Sequence, residues 1–236
     1  MNTKFLRISG ATVASAALIF GLAACSSSGS DSATSATTGT SASASSSGPA
    51  EPVASIPSLS GESTSVALST GFTDALTSLG LTPGVLGTAK LENGSLIFPI
   101  TGGNVDYYTP GTRDPYVVGD IQHDGSGITL TAGDTVVSLE NFDIDPGGSK
   151  LYAKVSAGTV AAPGTTVVGD HVYLFNLDGS TLQPLQADES AGTATLTGTR
   201  VLISPDAAAL LNQTFNTTAV TDTLEVGIAT IVVNTK

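Results

Sequence analysis

One cysteine, no tryptophan and two histidines among 236 residues leave this chain short of the side chains that build most catalytic and metal sites. A single thiol cannot close a disulfide within the chain, so the fold must rest on its core. Zinc asks for more imidazole or thiolate than two histidines and one cysteine provide. There is no Gly-x-Ser-x-Gly elbow and no Ser-x-x-Lys pair, which reduces nucleophile–base chemistry to a serine served by His123 or His171. Charge is sparse as well: 12% of residues are charged, and acids outnumber bases twenty to eight, for a formal net charge of −12. Such a surface lacks the basic footprint that nucleic acid and anionic headgroups require. Composition therefore argues against an enzyme, a bound metal or cofactor, and a nucleic-acid partner.

What is present begins with a targeting segment. Lys4 and Arg7 precede an apolar run from Ile8 to Leu22, broken only by small residues, and then Leu22-Ala23-Ala24-Cys25. That order is the pattern of a secretory signal peptide ending in small residues. The last four residues resemble the lipobox of bacterial lipoproteins. The resemblance implies cleavage between Ala24 and Cys25 and a diacylglycerol, with acyl chains such as palmitate, on the Cys25 thiol. Each buried methylene contributes roughly 0.8 kcal/mol, and two chains make a stable anchor where one does not. The alternative is a secreted protein with an incidental cysteine. No other apolar run reaches the roughly 18 residues of a spanning helix. The expectation is a protein held at the cell membrane on its extracytoplasmic face. Loss of residues 1–24 removes two bases and no acid, leaving six bases against twenty acids, formally −14.

From Ser26 to Gly48 every residue is Ser, Ala, Thr or Gly except Asp31. Nothing there can be buried to offset ordering entropy, so the segment reads as a flexible linker. Pro49, Pro52 and Pro57 stiffen its end. Random-coil scaling gives about 33 such residues a span of about 30 Å. The division is 1–24 signal peptide, 25–58 lipidated cysteine and linker, 59–236 one domain.

The domain reads as mainly β. Runs rich in Val, Ile, Thr and Tyr occupy Ser95–Thr101, Tyr116–Gln122, Gly127–Thr131, Thr135–Ile144, Leu151–Val155, Thr166–Leu177 and Ala194–Ile203. Between them stand Gly102-Gly103-Asn104, Asp124-Gly125-Ser126-Gly127, Pro146-Gly147-Gly148 and Asp178-Gly179-Ser180, which read as hairpin turns. Strands so closely joined are antiparallel. The apolar–polar alternation of Thr135–Ile144 slips once, which predicts a bulge near Glu140–Asn141 and one wet face. Two helices are expected. Phe72, Leu76 and Leu79 follow an N-cap at Ser69 or Thr70 and precede Gly80; Ser204, Pro205 and Asp206 open a second over Ala207–Leu211. Val66–Ser69 and Val201–Ser204 each lead into one of these helices, and similar strands follow at Leu86–Ala89 and Val226–Ala229. The expected fold is thus an antiparallel sandwich or partly open barrel with two short helices, and a strand–helix–strand unit at each end related by approximate symmetry.

Site candidates are few. His123 and His171 sit beside acids, but Asp170 points away from His171 if both lie in a strand; surface or turn histidines is the plain reading. Asp120, His123 and Asp124, or Asp143 and Asp145, could offer calcium ligands, yet they lack an EF-hand's spacing and closing Glu. Tyr107 and Tyr108 near Arg113 form the best aromatic–cation cluster, in a Pro/Gly-rich stretch from Gly102 to Pro115 that reads as a long loop and a candidate binding surface. A curved sheet under helices can also enclose an apolar cavity.

The middle of the chain carries Phe98–Gly103, Gly119-Asp120-Ile121-Gln122-His123-Asp124-Gly125, Val137–Asp145 and Leu151-Tyr152-Ala153. Together these are distantly similar to the HtaA family of haem-binding surface proteins, over roughly residues 66–236. The resemblance implies a mainly antiparallel β domain. In that family a tyrosine on the N-terminal helix ligates the haem iron; Phe72–Leu79 has none, so only His123 carries over, as a second contact. The reading that results is a membrane-anchored, non-catalytic binding or structural module whose partner is a small apolar ligand or an envelope protein. The alternative is a haem or lipid carrier, and further off a hydrolase with an unrecognised site.

Overall fold

The computed structural model of the protein describes residues 50–235. The lipobox at Leu22–Cys25 and the linker from Ser26 to Gly48 lie outside those residues. Thirteen strands form one antiparallel sheet. In chain order they are β1 (Ala54–Ile56), β2 (Ser63–Leu68), β3 (Thr82–Gly87), β4 (Lys90–Glu92), β5 (Ser95–Pro99), β6 (Gly102–Tyr107), β7 (Val117–Ala132), β8 (Thr135–Asp145), β9 (Lys150–Thr159), β10 (Ala162–Asp178), β11 (Gln186–Asp188), β12 (Thr193–Ile203) and β13 (Glu225–Asn234). The spatial order is β1-β6-β7-β8-β9-β10-β12-β13-β2-β5-β4, with β3 on β7 and β11 on β12. The sheet curls until β6 and β7 share a cavity wall with β12 and β13. It is the partly open barrel of the two expected architectures, not a sandwich.

The alternation of Thr135–Ile144 becomes β8. Val137, Leu139, Phe142 and Ile144 enter the core, and the register slips between Glu140 and Asp143, where Asn141 takes φ 55°. The expected turn at Asp124–Gly127 is instead a second bulge: β7 runs through it, and its register against β8 shifts between His123 and Gly127. The physical reason is mutual support, because the amide of Gly125, at φ 73°, donates to Asn141 Oδ1 at 2.9 Å. Residues 102–107, read as part of a loop, are strand β6, paired with both β1 and β7. Strand β1 falls in the stretch read as linker. Leu59 follows it into the core at 3% exposure.

The helices are α1 (Thr70–Ser78) and α2 (Pro205–Thr214). Each starts on an extended serine. Ser69 Oγ accepts from the Phe72 amide at 3.1 Å and donates to Glu225 O at 2.6 Å. Ser204 Oγ accepts from the Ala207 amide at 3.0 Å and donates to Tyr173 O at 2.8 Å. One hydroxyl therefore caps the helix and ties it to a neighbouring strand. Phe72, Leu76, Ala207 and Ala208 turn into the core. The two strand–helix–strand units are not equivalent. Strand β12 leads through α2 to β13 and pairs with it, whereas β2 leads through α1 to β3, which crosses to β7. The approximate symmetry is absent because only one unit closes on itself.

Candidate functional site

Of the sequence-selected residues, His123 lies deepest. Instead of sitting on the surface or in a turn, it is 1% exposed, on the core side of β7. Its Nδ1 meets Phe142 O at 3.1 Å and its Nε2 meets Thr64 Oγ1 at 2.8 Å. The edge of Phe98 also approaches the ring, at 6.4 Å between centroids. Burial pushes its pKa down to about 4, only partly opposed by the Phe142 carbonyl and the more distant Asp143 and Asp124 carboxylates. The imidazole is neutral and spoken for at both nitrogens. The void beside it is about 40 Å³, room for a few waters.

His171 lies on the opposite, outer face, stacked on Tyr152 with ring centroids 4.2 Å apart, its Nε2 3.1 Å from Asp143 Oδ2. Asp170 plays no part in that contact; the orienting carboxylate comes from β8, two strands away. Beneath it Asp120 and Asp143 are neighbours. Partial burial and then Asp143 raise the Asp120 pKa to about 6, against a smaller opposing effect of Gln122. With a proton on Asp120 the two carboxyls hydrogen-bond side chain to side chain, and Asp143 Oδ1 is buried with no other donor. The suggested calcium ligands are divided by the sheet, with His123 inside and Asp120 and Asp143 outside. Among the described residues no group of three or more metal-ligating side chains converges.

Of Tyr107, Tyr108 and Arg113, the last two come together and Tyr107 turns elsewhere. The Arg113 guanidinium stacks over the Tyr108 ring at 4.6 Å, and that ring is 6% exposed. Tyr107 turns instead into the mouth of the barrel, edge-on to Tyr116 at 5.9 Å. Burial and then Tyr107 raise the Tyr116 pKa, so its phenol keeps its proton.

That mouth is the candidate site. The helices fill one end of the curled sheet, leaving only about 40 Å³ between Phe72, Ala207, Leu210 and the strands. Toward the other end the inner face stays apolar but loses its cover. Val201 and Ala229 are buried, while Leu196, Ile231 and Val233, further along the same two strands, are only half-buried. Two cavities adjoin there. One, of about 280 Å³, lies among Ile56, Val105, Tyr107, Leu196, Ile231 and Val233. The other, of about 180 Å³, lies among Asp114, Tyr116, Ile144, Leu177 and Leu182. Both are lined by Val117, Pro146, Leu196 and Ile231. Sequence reasoning selected Tyr107 and missed the rest, because Ile56, Leu196 and Ile231 read as ordinary strand residues.

The fold is similar to that of the C-terminal domain of HtaA from Corynebacterium glutamicum, with a TM-score of 0.51 and 16% identity, covering 75% of this chain and 98% of that one. The N-terminal domain of HtaA from the same organism scores 0.42 at 11% identity, covering 75% and 99%. No family model matches the chain, and no curated protein matches its sequence. The distant similarity to HtaA domains is therefore one of fold. The residues do not fit a haem in the way the sequence resemblance implies: α1 reads Thr-Gly-Phe-Thr-Asp-Ala-Leu-Thr-Ser, without tyrosine, and His123 has no free nitrogen and only about 40 Å³ beside it.

Proposed function

We propose that this domain is a non-catalytic binding module that takes a small apolar ligand into the open end of its barrel, and that Cys25 tethers it to the outer side of the cell membrane. The observation that carries the reading is the pair of adjoining cavities under an apolar inner face that no element among the described residues covers. Ligand sites are concave, mostly apolar and largely pre-formed, with a few polar groups to fix orientation. Tyr107 and Tyr116 are such groups, each an apolar ring carrying one hydroxyl. The anchoring half rests on the Leu22-Ala23-Ala24-Cys25 motif, the Ser/Thr/Ala linker behind it, and the lack among the described residues of any helix long and apolar enough to cross a membrane.

Native mass spectrometry of the mature chain purified from its own host tests the binding half. The expected result is a co-purifying apolar small molecule that a Leu196→Trp variant loses. A bare protein that also fails to take up any apolar probe would end the reading. Intact-mass measurement on Cys25 tests the anchor, with a diacylglyceryl adduct expected and a free thiol the contrary outcome.

A further inference from the structure

We infer that the ligand of this trough is a linear apolar chain ending in an uncharged or cationic group, neither a flat macrocycle nor an acid. This deepens the binding reading above and rests on it.

Shape argues first. The trough is two cavities, about 280 and 180 Å³, meeting across Val117, Pro146, Leu196 and Ile231. The larger stands at the lower edge of the roughly 300–1,000 Å³ of a drug-sized pocket and the smaller falls below it. An occupant that fills both must pass the side chains between them. A chain with rotatable bonds can bend past those four residues. A rigid planar ring system cannot bend in that way. The lining contains no histidine; its two phenols, Tyr107 and Tyr116, pack edge-on against each other, and burial and then Tyr107 keep the Tyr116 phenol protonated.

Charge argues second. Across both linings, among the described residues, Asp114 is the one charged side chain. Arg113, its neighbour in sequence, is turned onto the Tyr108 ring and lines neither cavity. The chain around them is formally −12. Asp114 is exposed at the rim, so an anionic head would meet a like charge there, a repulsion that solvent and salt weaken and do not remove. A hydroxyl or ester meets no such penalty, and an ammonium is drawn to Asp114.

The experiment is a displacement titration of the mature chain with dodecanol, dodecylamine, dodecanoate and haemin at one ionic strength. Dodecanol and dodecylamine are expected to bind, with dodecanoate severalfold weaker and haemin giving no stoichiometric Soret change. Asp114→Asn should narrow the gap from both sides, weakening the amine severalfold, strengthening the acid and leaving the alcohol alone. Leu196→Trp should abolish all three. Dodecanoate binding as tightly as dodecanol, or haemin binding one-to-one and being lost in Leu196→Trp, overturns the inference while leaving the trough a binding site. If none of the four binds, the trough reading falls and the inference falls with it.

Discussion

His123 and Asp120 lie three positions apart on β7, on opposite faces, and they bias acid stability in opposite directions. His123 is neutral in the fold, with its pKa lowered to about 4 from an ordinary 6.5. The unfolded chain takes up a proton there first, so the stabilisation present above pH 6.5 drains away as pH falls toward 4. At 1.36 kcal/mol per pKa unit this amounts to about 3 kcal/mol. Asp120 works the other way. Its folded pKa, near 6, lies above its ordinary value, so the fold gains as pH falls from about 6 through 4. Its partial exposure screens that gain to about 1 kcal/mol. Asp120→Asn should therefore raise stability at pH 7 by about that amount, and its advantage should vanish by pH 4. Denaturant melts at the two pH values check it, and an unchanged difference would contradict the shared proton. His123→Ala is expected to cost about 3 kcal/mol at pH 7. It opens a cavity and leaves Phe142 O and the Thr64 hydroxyl without their buried partner.

At the scale of elements, the two capping serines give a graded comparison. Each Oγ both caps its helix and donates to a strand carbonyl, but Ser204 is fully buried and Ser69 is not. Loss of a cap costs about 1 kcal/mol, and a buried carbonyl left without its donor adds about as much again. Ser204→Ala should cost about 2 kcal/mol and Ser69→Ala about 1, read from urea midpoints; equal losses would mean that the strand contacts contribute nothing. These caps were legible in sequence because serine, then proline or a run of helix formers, is a local signal. So was the β8 bulge, since one slipped residue changes which side chains alternate. The bulge at Asp124–Gly127 was not legible. Asp-Gly-Ser-Gly spells a turn by itself, and only Asn141, on another strand, makes it a continuation of β7. The chain segment after Tyr107 misled for a similar reason. Its glycines and prolines hide that Gly102–Tyr107 has partners on both sides.

The whole molecule separates into a filled end and an unfilled one, and no local pattern announces that division. Ile56, Tyr107, Leu196 and Ile231 come from four strands scattered along the chain, and each obeys the same alternation as residues that end up buried. Only the curl of the complete sheet decides which apolar side chains receive a helix and which face a gap. The same division predicts where a ligand acts. An occupant of the trough touches the pair β1 and β6 together with the pair β12 and β13, and within the sheet these two pairs are joined only through the strands between them. At a hundred times its dissociation constant it should stabilise the fold by about 2.7 kcal/mol. Local opening at the unfilled end should also become rarer, whereas opening of the helical end should not. Amide hydrogen exchange on the mature chain with and without dodecanol reads this directly. Added protection should concentrate in Ala54–Ile56, Gly102–Tyr107 and the Ile231 end of β13, with α1 and α2 changing only as far as global stability does. Protection spread evenly over both ends would place the ligand somewhere other than the trough.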